Sequence, residues 1–434
     1  MQYLLSVIIP FYNAEKHIKK TVESVLKQKS KDTEIILVDD YSNDRSKKIA
    51  EILKKRYPCI KVLRHKTNQG VGVSRNNGIR ISRGKYIVFL DSDDNLFQKS
   101  LKNLKTVIIK KSYPDVIILK HKKSTFPNSN QKLIQNVNYI NKKPEKFINY
   151  LNRTKTPFAD CWFFSVRKDL IIKNKIFFPN TRFGESEFFV AKTICLMKRY
   201  ECCNKYFYSK NDRIGSLNSL DDFNATISVL ESLIKFHNFL KGKNLKPIKK
   251  RFIIKYIEDG LGVFSALLVL RNNKDLRKLS KFLKKNKNKF TKFKNFSKNH
   301  NLFLLIAKYG PVKGLINFRN SIFKTKIHLI NKLKNKRKNI YVYCKSKYTA
   351  ATISILKKNK FSVKAVIDDS YVFKKDKFSN YKTINSNIFL KQTKKHLSKI
   401  GVVISHQKIG VSKKISNFLI KNGFKKNQIV VIKY

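Results

Sequence analysis

The sequence predicts an α/β fold on three observations. Short β-type apolar runs alternate with helical spacings over residues 4–91, two of those runs end in clustered aspartates, and the same alternation returns from Asn339 onward. Strands alternating with helices build a mainly parallel sheet covered on both faces. A length of 434 residues allows two or three domains at roughly 150 residues each. The expected parts are residues 1–220, a basic helical region at 221–335 and a small α/β domain at 336–434.

In order, Leu4 to Ile9 is a β-type run stopped by Pro10, and Ala14 to Gln28 follows helical spacing with Ile18, Val22, Val25 and Leu26 on one face. Glu34 to Val38 is a second strand, ending in Asp39-Asp40 and the turn Tyr41 to Asp44. Ser46 to Tyr57 reads as helix and Ile60 to Arg64 as a third strand. The glycine-containing loop Asn68 to Gly72 precedes a helix from Val73 to Arg83, which Gly84 breaks.

The run Tyr86 to Leu90 then delivers Asp91, Asp93 and Asp94 at its carboxyl end. Oxygen ligands suit a hard divalent cation and leave coordination positions for substrate phosphates. Ligands of open α/β sheets bind outside the carboxyl ends of the strands. Aspartate also follows strands simply because it favours turns. The second acidic strand end, Asp39-Asp40, tips the balance, because neighbouring strands would line one rim with both. A nucleotide fits such a rim: Asp40 accepts from base or ribose, Asp91 and Asp93 hold a metal on a diphosphate, and the planar fork of Arg75 meets phosphate or base.

Four blocks together resemble the family 2 glycosyltransferases of the GT-A fold. They are Ser6 to Asn13, Ile36 to Asp44, Asn68-Gln69-Gly70 with Ser74 to Gly78, and Gly84-Lys85-Tyr86 running into Asp91-Ser92-Asp93-Asp94. The resemblance implies a sugar transferred with inversion from a nucleotide-diphosphate sugar, assisted by Mn²⁺ or Mg²⁺. It places Pro10, Tyr12 and Asp40 on the nucleoside and Arg75 by the base or diphosphate. Asp91-Ser92-Asp93 becomes the DxD motif on ribose and metal, with Asp93 and Asp94 both candidates for the direct ligand. It implies a glycan or lipid-linked acceptor, in bacterial lipopolysaccharide, capsule or other surface polysaccharide assembly.

Beyond Asn95, Asp115 to Lys120 reads as strand, residues 121–143 as a polar loop or a small hairpin, and Trp162 as a buried aromatic in preference to an acceptor platform. Inverting transfer needs a general base for the acceptor hydroxyl. The family supplies it from an acidic pair, usually Glu-Asp, before aromatics. This chain departs from that pattern with Glu185-Ser186-Glu187, Ser186 standing at the usual Asp position. Glu187 is the favoured base and Glu185 the alternative; if neither serves, the protein is a nucleotide-sugar-binding scaffold. The stretch Tyr206-Phe207-Tyr208 then Arg213 to Ser216 is similar to the family's aromatic segment and Gly-Ser loop. Arg213 is either a neutraliser of the leaving group or an exposed loop arginine.

Residues 221–330 show helical spacing, first at Asp221 to Leu240 and Phe252 to Leu270, then as apolar pairs between Lys-rich turns. Such segments pack with solvated Lys faces or lie on an anionic membrane surface. From Asn339, strands at 340–343, 363–367, 401–405 and 428–432 alternate with helices. This part is Rossmann-like and resembles the sugar-binding N-terminal domain of some acyltransferases. Its first turn, Cys344 to Tyr348, lacks the glycines that close approach to a pyrophosphate wants, so it reads as an accessory domain.

Composition bounds the partners. There are 95 Lys and Arg against 28 Asp and Glu, a formal net charge of +67. The lysine is diffuse, without the basic groove and interleaved aromatics of a nucleic-acid binder, so no nucleic-acid partner is expected. The six cysteines show no metal-ligand spacing and read as reduced thiols. Residues 1–10 have no basic leader, and the longest internal apolar run, Leu261 to Leu270, is shorter than the about 20 residues a span needs. The expected location is cytoplasmic, with the inner face of the cell membrane as a candidate surface.

Overall fold

The computed structural model describes residues 3–28, 30–123, 143–154, 160–181, 184–211, 223–242, 244–285, 301–331, 333, 339–343, 349–368, 377–378, 381–405 and 409–432. It divides into two compact units, Met1–Arg213 with Lys235–Tyr256, and Ile214–Ile234 with Ile257–Tyr434.

The first unit is built on an eight-stranded sheet. Its strands are β1 (Leu5–Phe11), β2 (Thr33–Asp39), β3 (Ile60–Arg64), β4 (Tyr86–Phe89), β5 (Asn95–Leu96), β6 (Val116–Lys123), β7 (Phe164–Arg167) and β8 (Tyr200–Lys210). The order is β3-β2-β1-β4-β7-β6-β8-β5. The first four strands are mutually parallel, with the sequence direction reversing between β1 and β4. Beyond them the sheet is mixed, because β7 runs antiparallel to both β4 and β6. β6 and β8 again run with the first four strands, so the mainly parallel sheet expected from the alternation holds, with β7 and β5 as the antiparallel exceptions. β1 and β2 are buried along their whole length, as residues covered on both faces must be.

Helices α1 (Ile18–Leu26), α2 (Ser46–Arg56), α3 (Val71–Ile81) and α4 (Ser100–Lys110) supply the crossovers. Helix α1 starts four residues later than its spacing suggests; Ala14 instead opens a turn whose amide donates to Ser46 Oγ at 2.8 Å. Pro10 sits inside β1 without losing a ladder bond. Phe11 accepts from Asp40 on the β2 side and Ile8 from Leu90 on the β4 side. By alternation the Pro10 nitrogen faces the β4 side, beyond the last paired residue, Ile8.

One buried acidic residue of β2 ties this core together. Glu34 is fully buried and accepts from Ser6 Oγ at 2.7 Å, Lys61 Nζ at 2.8 Å, the Gly84 amide at 3.1 Å and the Arg83 amide. Gly84 has to be glycine, since a Cβ there would lie 2.5 Å from the Ser6 nitrogen and 2.6 Å from the Leu5 carbonyl carbon. Burial works to raise the Glu34 carboxyl, and the bonds from Lys61, the Arg83 amide and Ser6 outweigh it, leaving it below its ordinary 4.5. A lowered carboxyl stabilises the fold above its unfolded value, and the contribution is lost as pH falls through the folded value. Glu34→Gln is expected to cost roughly 3 kcal/mol at neutral pH. Urea midpoints of wild type and variant should converge as the medium is acidified.

The remaining helices of the first half are α5 (Pro144–Thr154), α6 (Lys168–Lys173) and α7 (Glu185–Leu196). The polar loop expected at 121–143 and the Gly-Ser loop after Arg213 fall largely or wholly outside the described residues; of the former, His121 to Lys123 extend β6. Trp162 is buried, as expected, stacked on Phe163 at 4.3 Å and on Tyr208 at 4.6 Å.

The helical middle is observed as α8 (Phe223–Gly242), α9 (Pro247–Leu270), α10 (Asn273–Lys285) and α11 (Asn301–Asn331). The apolar pairs and Lys-rich turns of residues 301–331 form one continuous helix that packs on α10. Among the described residues, no helix is long and apolar enough to cross a membrane.

The second unit ends in a smaller sheet of β9 (Asn339–Tyr343), β10 (Val363–Ile367), β11 (Lys377–Phe378), β12 (Tyr381–Ile384), β13 (Ile400–Ser405) and β14 (Ile429–Ile432). Its order is β11-β12-β10-β9-β13-β14, parallel except for β11. The chain direction across the sheet reverses between β9 and β13, as in a doubly wound sheet. Helices α12 (Thr349–Lys358), α13 (Ser386–Thr393) and α14 (Ile409–Lys421) accompany it, and Phe389, Leu419 and Phe424 pack against Val402 and Ile404.

Candidate active site

The carboxyl ends of β1, β2 and β4 converge where the strand order reverses. Phe11 is in register with Asp39, and Leu90 donates to Ile8. The loops leaving this rim are stitched to one another: the Asn13 amide donates to Ser42 Oγ at 3.1 Å, the Asn43 amide to Asn13 Oδ1 at 2.9 Å and the Glu15 amide to Asp44 at 3.0 Å. Tyr12 follows β1 and is 44% exposed, whereas Pro10 is buried in the strand.

Asp40 is buried and binds its own protein. Its Oδ1 accepts from the Gln69 amide and its Oδ2 from the Gly70 amide, each at 2.8 Å. His65 Nδ1 lies 2.8 Å from Oδ1, and His65 Nε2 lies 2.9 Å from Asn77 Nδ2. A tautomer protonated at Nδ1 and accepting at Nε2 satisfies both contacts. Gly70 takes a φ of +90°, which lets the loop turn into α3. Asp40 thus fixes the loop that presents Arg75.

The three aspartates after β4 divide by burial. Asp91 and Asp93 are partly exposed, and Asp94 is buried. Asp94 Oδ2 accepts from the Tyr208 hydroxyl at 2.5 Å and Oδ1 from the Asn211 amide at 2.7 Å, with Lys210 Nζ 3.9 Å away. Burial lifts its carboxyl to about 6 against the pull of Lys210 and Tyr208. Both Asp94 oxygens hold protein donors, so Asp94 anchors the turn to β8 and the case for a metal ligand passes to Asp91 and Asp93. The turn is fixed from its other side by Thr21, whose hydroxyl donates to the Ser92 carbonyl at 2.8 Å.

Arg75 is the centre of the site. It comes from the first turns of α3 and is 5% exposed. Nη2 meets Asp91 Oδ1 at 2.9 Å and Nη1 meets Glu185 Oε1 at 3.4 Å. Its guanidinium lies 5.3 Å from the Phe178 ring centroid. Phe178 is itself immobilised. It stacks on Phe189 at 4.2 Å, meets Phe89 edge-on at 5.2 Å, and exchanges two hydrogen bonds with the Asn76 side chain. Burial works against the charged guanidinium, but Cys161, Asp91 and Glu185 raise it above its ordinary value.

Glu185 opens α7 directly after Gly184 and is nearly buried, with 12% of its side chain exposed. Burial pushes its carboxyl above the usual range, Arg75 pulls it down, and Asp91 and Asp160 add to the rise. Ser186 is buried and its Oγ accepts the Cys161 amide at 2.8 Å. Glu187 is half-buried two positions further along the helix, while Arg75 makes its ion pairs with Asp91 and Glu185. The structure therefore brings together Arg75, Asp91 and Glu185, where the sequence reading favoured Glu187. Arg213 lies outside the described residues.

Sequence reasoning missed Tyr208 as the clamp on Asp94, Phe178 as the floor beneath Arg75, and Asp160 as a second acidic neighbour of Glu185 beside Asp91. The only local signal for the first was the aromatic run Tyr206 to Tyr208.

Comparison with known proteins defines the class. Residues 6–174 match the family model described as Glycosyl transferase family 2. Over residues 6–174 the chain carries a family 2 glycosyltransferase domain of GT-A fold. It is 27% identical over 274 residues to "Cholesterol galactosyltransferase" of Borreliella burgdorferi, covering 59% of this chain and 74% of that protein. It is 31% identical over 229 residues to "Minor teichoic acid biosynthesis protein GgaA" of Bacillus subtilis, covering 51% of this chain and 50% of the relative. Over 103 residues it is 39% identical to "Poly(ribitol-phosphate) beta-N-acetylglucosaminyltransferase TarP" of Staphylococcus aureus, covering 23% of this chain and 31% of that one. The chain thus spans half or less of the length of the latter two relatives. Among solved structures, S. aureus TarS 1-349 in complex with UDP superposes with a TM-score of 0.53 at 19% identity, covering 74% of this chain and 92% of that one.

Proposed function

We propose that the first unit transfers a sugar, with inversion, from a nucleotide-diphosphate donor to a hydroxyl of a cell-envelope glycan or lipid-linked acceptor. The observation that carries this is the Arg75–Asp91–Glu185 cluster, which sets a buried, raised carboxyl beside a half-exposed acidic turn at the sheet's reversal point. Glu185 takes the proton of the acceptor hydroxyl as that oxygen bonds to the anomeric carbon. The bond from that carbon to the diphosphate oxygen breaks on the opposite face, and the nucleoside diphosphate departs with the electron pair. A carboxyl raised above its ordinary value by burial is, when ionised, a stronger base than an ordinary one.

Asp91 and Asp93 are partly exposed carboxylates with one residue between them, a donor set that suits Mg²⁺ or Mn²⁺. Such an ion supplies charge neutralisation at the leaving diphosphate. Tyr12 is the exposed ring available to the nucleoside, and Asp40 acts by holding the 68–70 loop. Arg213 is proposed to meet the leaving diphosphate. Relatives named for teichoic acid and for cholesterol galactosylation favour an envelope acceptor and with it an anionic membrane surface as partner. They do not single out lipopolysaccharide or capsule.

A second reading rests on one observation: Ser186, in place of the usual acidic residue, is spent on the Cys161 amide. On that reading the domain binds donor without turning it over. A panel of nucleotide sugars with Mg²⁺, Mn²⁺ or chelator, on wild type and Asp93→Ala, decides. Metal-dependent nucleoside diphosphate release that falls at least about a hundredfold in the variant supports transfer. Donor binding without release by any donor supports the scaffold, and absence of donor binding removes both.

A further inference from the structure

Three exposed side chains stand on consecutive strand ends of the first sheet: Tyr12 after β1, Tyr41 after β2 and Arg64 at the end of β3. Register sets them side by side, since Phe11 pairs with Asp39 and Asp39 with Arg64. Tyr41 is 42% exposed, much like Tyr12, and 35% of the Arg64 side chain reaches solvent.

Tyr41 is an unusual residue for its turn. Its φ of +69° lies in the left-handed region, where glycine is at ease and a bulky side chain is rare. Burial does not offset that strain, because the ring is exposed. Strain of this kind persists at sites where the side chain is used. The ring lies beside Arg64, whose guanidinium carbon is 5.6 Å from its centroid. Arg64 is aimed by the protein: Nε lies 3.3 Å from Asp39 Oδ2, and Nη2 donates to the Ser42 carbonyl at 3.3 Å. These contacts leave Nη1 to an incoming group. The turn itself is fixed, because the Ser42 amide donates to Asp39 Oδ1 at 2.8 Å and the Ser42 hydroxyl accepts from the Asn13 amide beside Tyr12. Next to this pair, both Asp40 oxygens already accept from the Gln69 and Gly70 amides. The rim therefore offers the edge of a base a donor, Arg64, in preference to an acceptor.

We propose that Tyr41 and Arg64 form the outer wall of the nucleoside site and select its base. The Tyr41 ring lies against the base, and Arg64 Nη1 donates to a keto oxygen on the base edge. Uracil and guanine carry such an oxygen where cytosine and adenine carry an amino group, whose hydrogens would meet those of the guanidinium. An aromatic face accepts every base, so Tyr41 supplies affinity and Arg64 discrimination. This inference rests on the nucleotide-sugar reading of the first unit.

The test uses the full chain. UDP, GDP, CDP and ADP are titrated calorimetrically in Mg²⁺ against wild type, Tyr41→Gly, Tyr41→Phe and Arg64→Gln. Wild type is expected to bind UDP or GDP about tenfold more tightly than CDP and ADP. Tyr41→Gly should weaken every nucleotide roughly tenfold while its thermal midpoint stays at or above that of wild type, because glycine suits the backbone there. Tyr41→Phe should restore binding, and Arg64→Gln should reduce the base preference to within about threefold. Equal binding of all four nucleotides by wild type overturns the inference and leaves sugar transfer standing. So does a Tyr41→Gly variant that loses thermal stability but no affinity, which is the mark of a purely structural ring. Absence of binding by all four overturns the nucleotide-sugar reading and this inference with it.

Discussion

Glu185→Gln is expected to lower sugar transfer by roughly 10²–10⁴-fold, while Glu187→Gln leaves it within about threefold. The two residues share a helix, and spacing alone prevents them from sharing a role. Residues two apart on an α-helix point roughly 200° apart around its axis. Helix α7 spends one direction on the Arg75 cluster, where Glu185 Oε1 lies 3.4 Å from Nη1. Glu187 therefore faces elsewhere. Glutamine keeps the shape of Glu185 and can still accept from Arg75, so donor affinity should change by no more than about twofold. The loss should appear in kcat. The pH profile supplies an independent check. The base must be ionised to act, and burial holds the Glu185 carboxyl above its ordinary 4.5. Activity should therefore rise with pH on a limb displaced upward from the ordinary carboxylate range. Equal activity in wild type and Glu185→Gln, with loss in Glu187→Gln, would return the base to the residue the sequence favoured.

The sequence offered both Glu187 and Glu185, and ranking the two is where linear reading stops. The four blocks from Ser6 to Asp94 were legible because each is local: a strand, its terminal acid and the turn behind it lie within a few residues. β1 to β4 and the convergence of their carboxyl ends follow from that pattern. The choice between Glu185 and Glu187 depends on which helix face meets Arg75, and Arg75 is separated from Glu185 by 110 positions. The same limit hid Asp94. In sequence it is one of three equivalent aspartates, and only the return of β8, 114 residues later, sets Tyr208 on its carboxylate. The antiparallel β7 was hidden for a related reason, since its short apolar run gives no sign of direction. Gly310, Pro311 and Gly314 are poor helix formers, yet α11 runs through all three.

Arg75→Ala is expected to destabilise the first unit by about 3–5 kcal/mol and to abolish measurable transfer. The cost follows from what remains. Asp91 and Glu185 are both turned towards the vacated guanidinium, and Asp160 already raises Glu185. Without the cation the carboxylates repel one another, and water reaches the partly exposed Asp91 but hardly the nearly buried Glu185. Glu185 then escapes by taking up a proton, which disables it as a base. Arg75→Lys should recover less than half of the lost stability, because a single ammonium cannot span partners that the fork meets at 2.9 Å and 3.4 Å. It also forfeits the flat contact with Phe178. A double-mutant cycle separates electrostatics from packing. If repulsion dominates, Arg75→Ala should cost less in a Glu185→Gln background than in wild type, by an interaction of about 1–3 kcal/mol. If the Phe178 contact dominates, the two losses should add. The first outcome would make the arginine the residue that keeps two acids side by side and one of them ready to accept a proton.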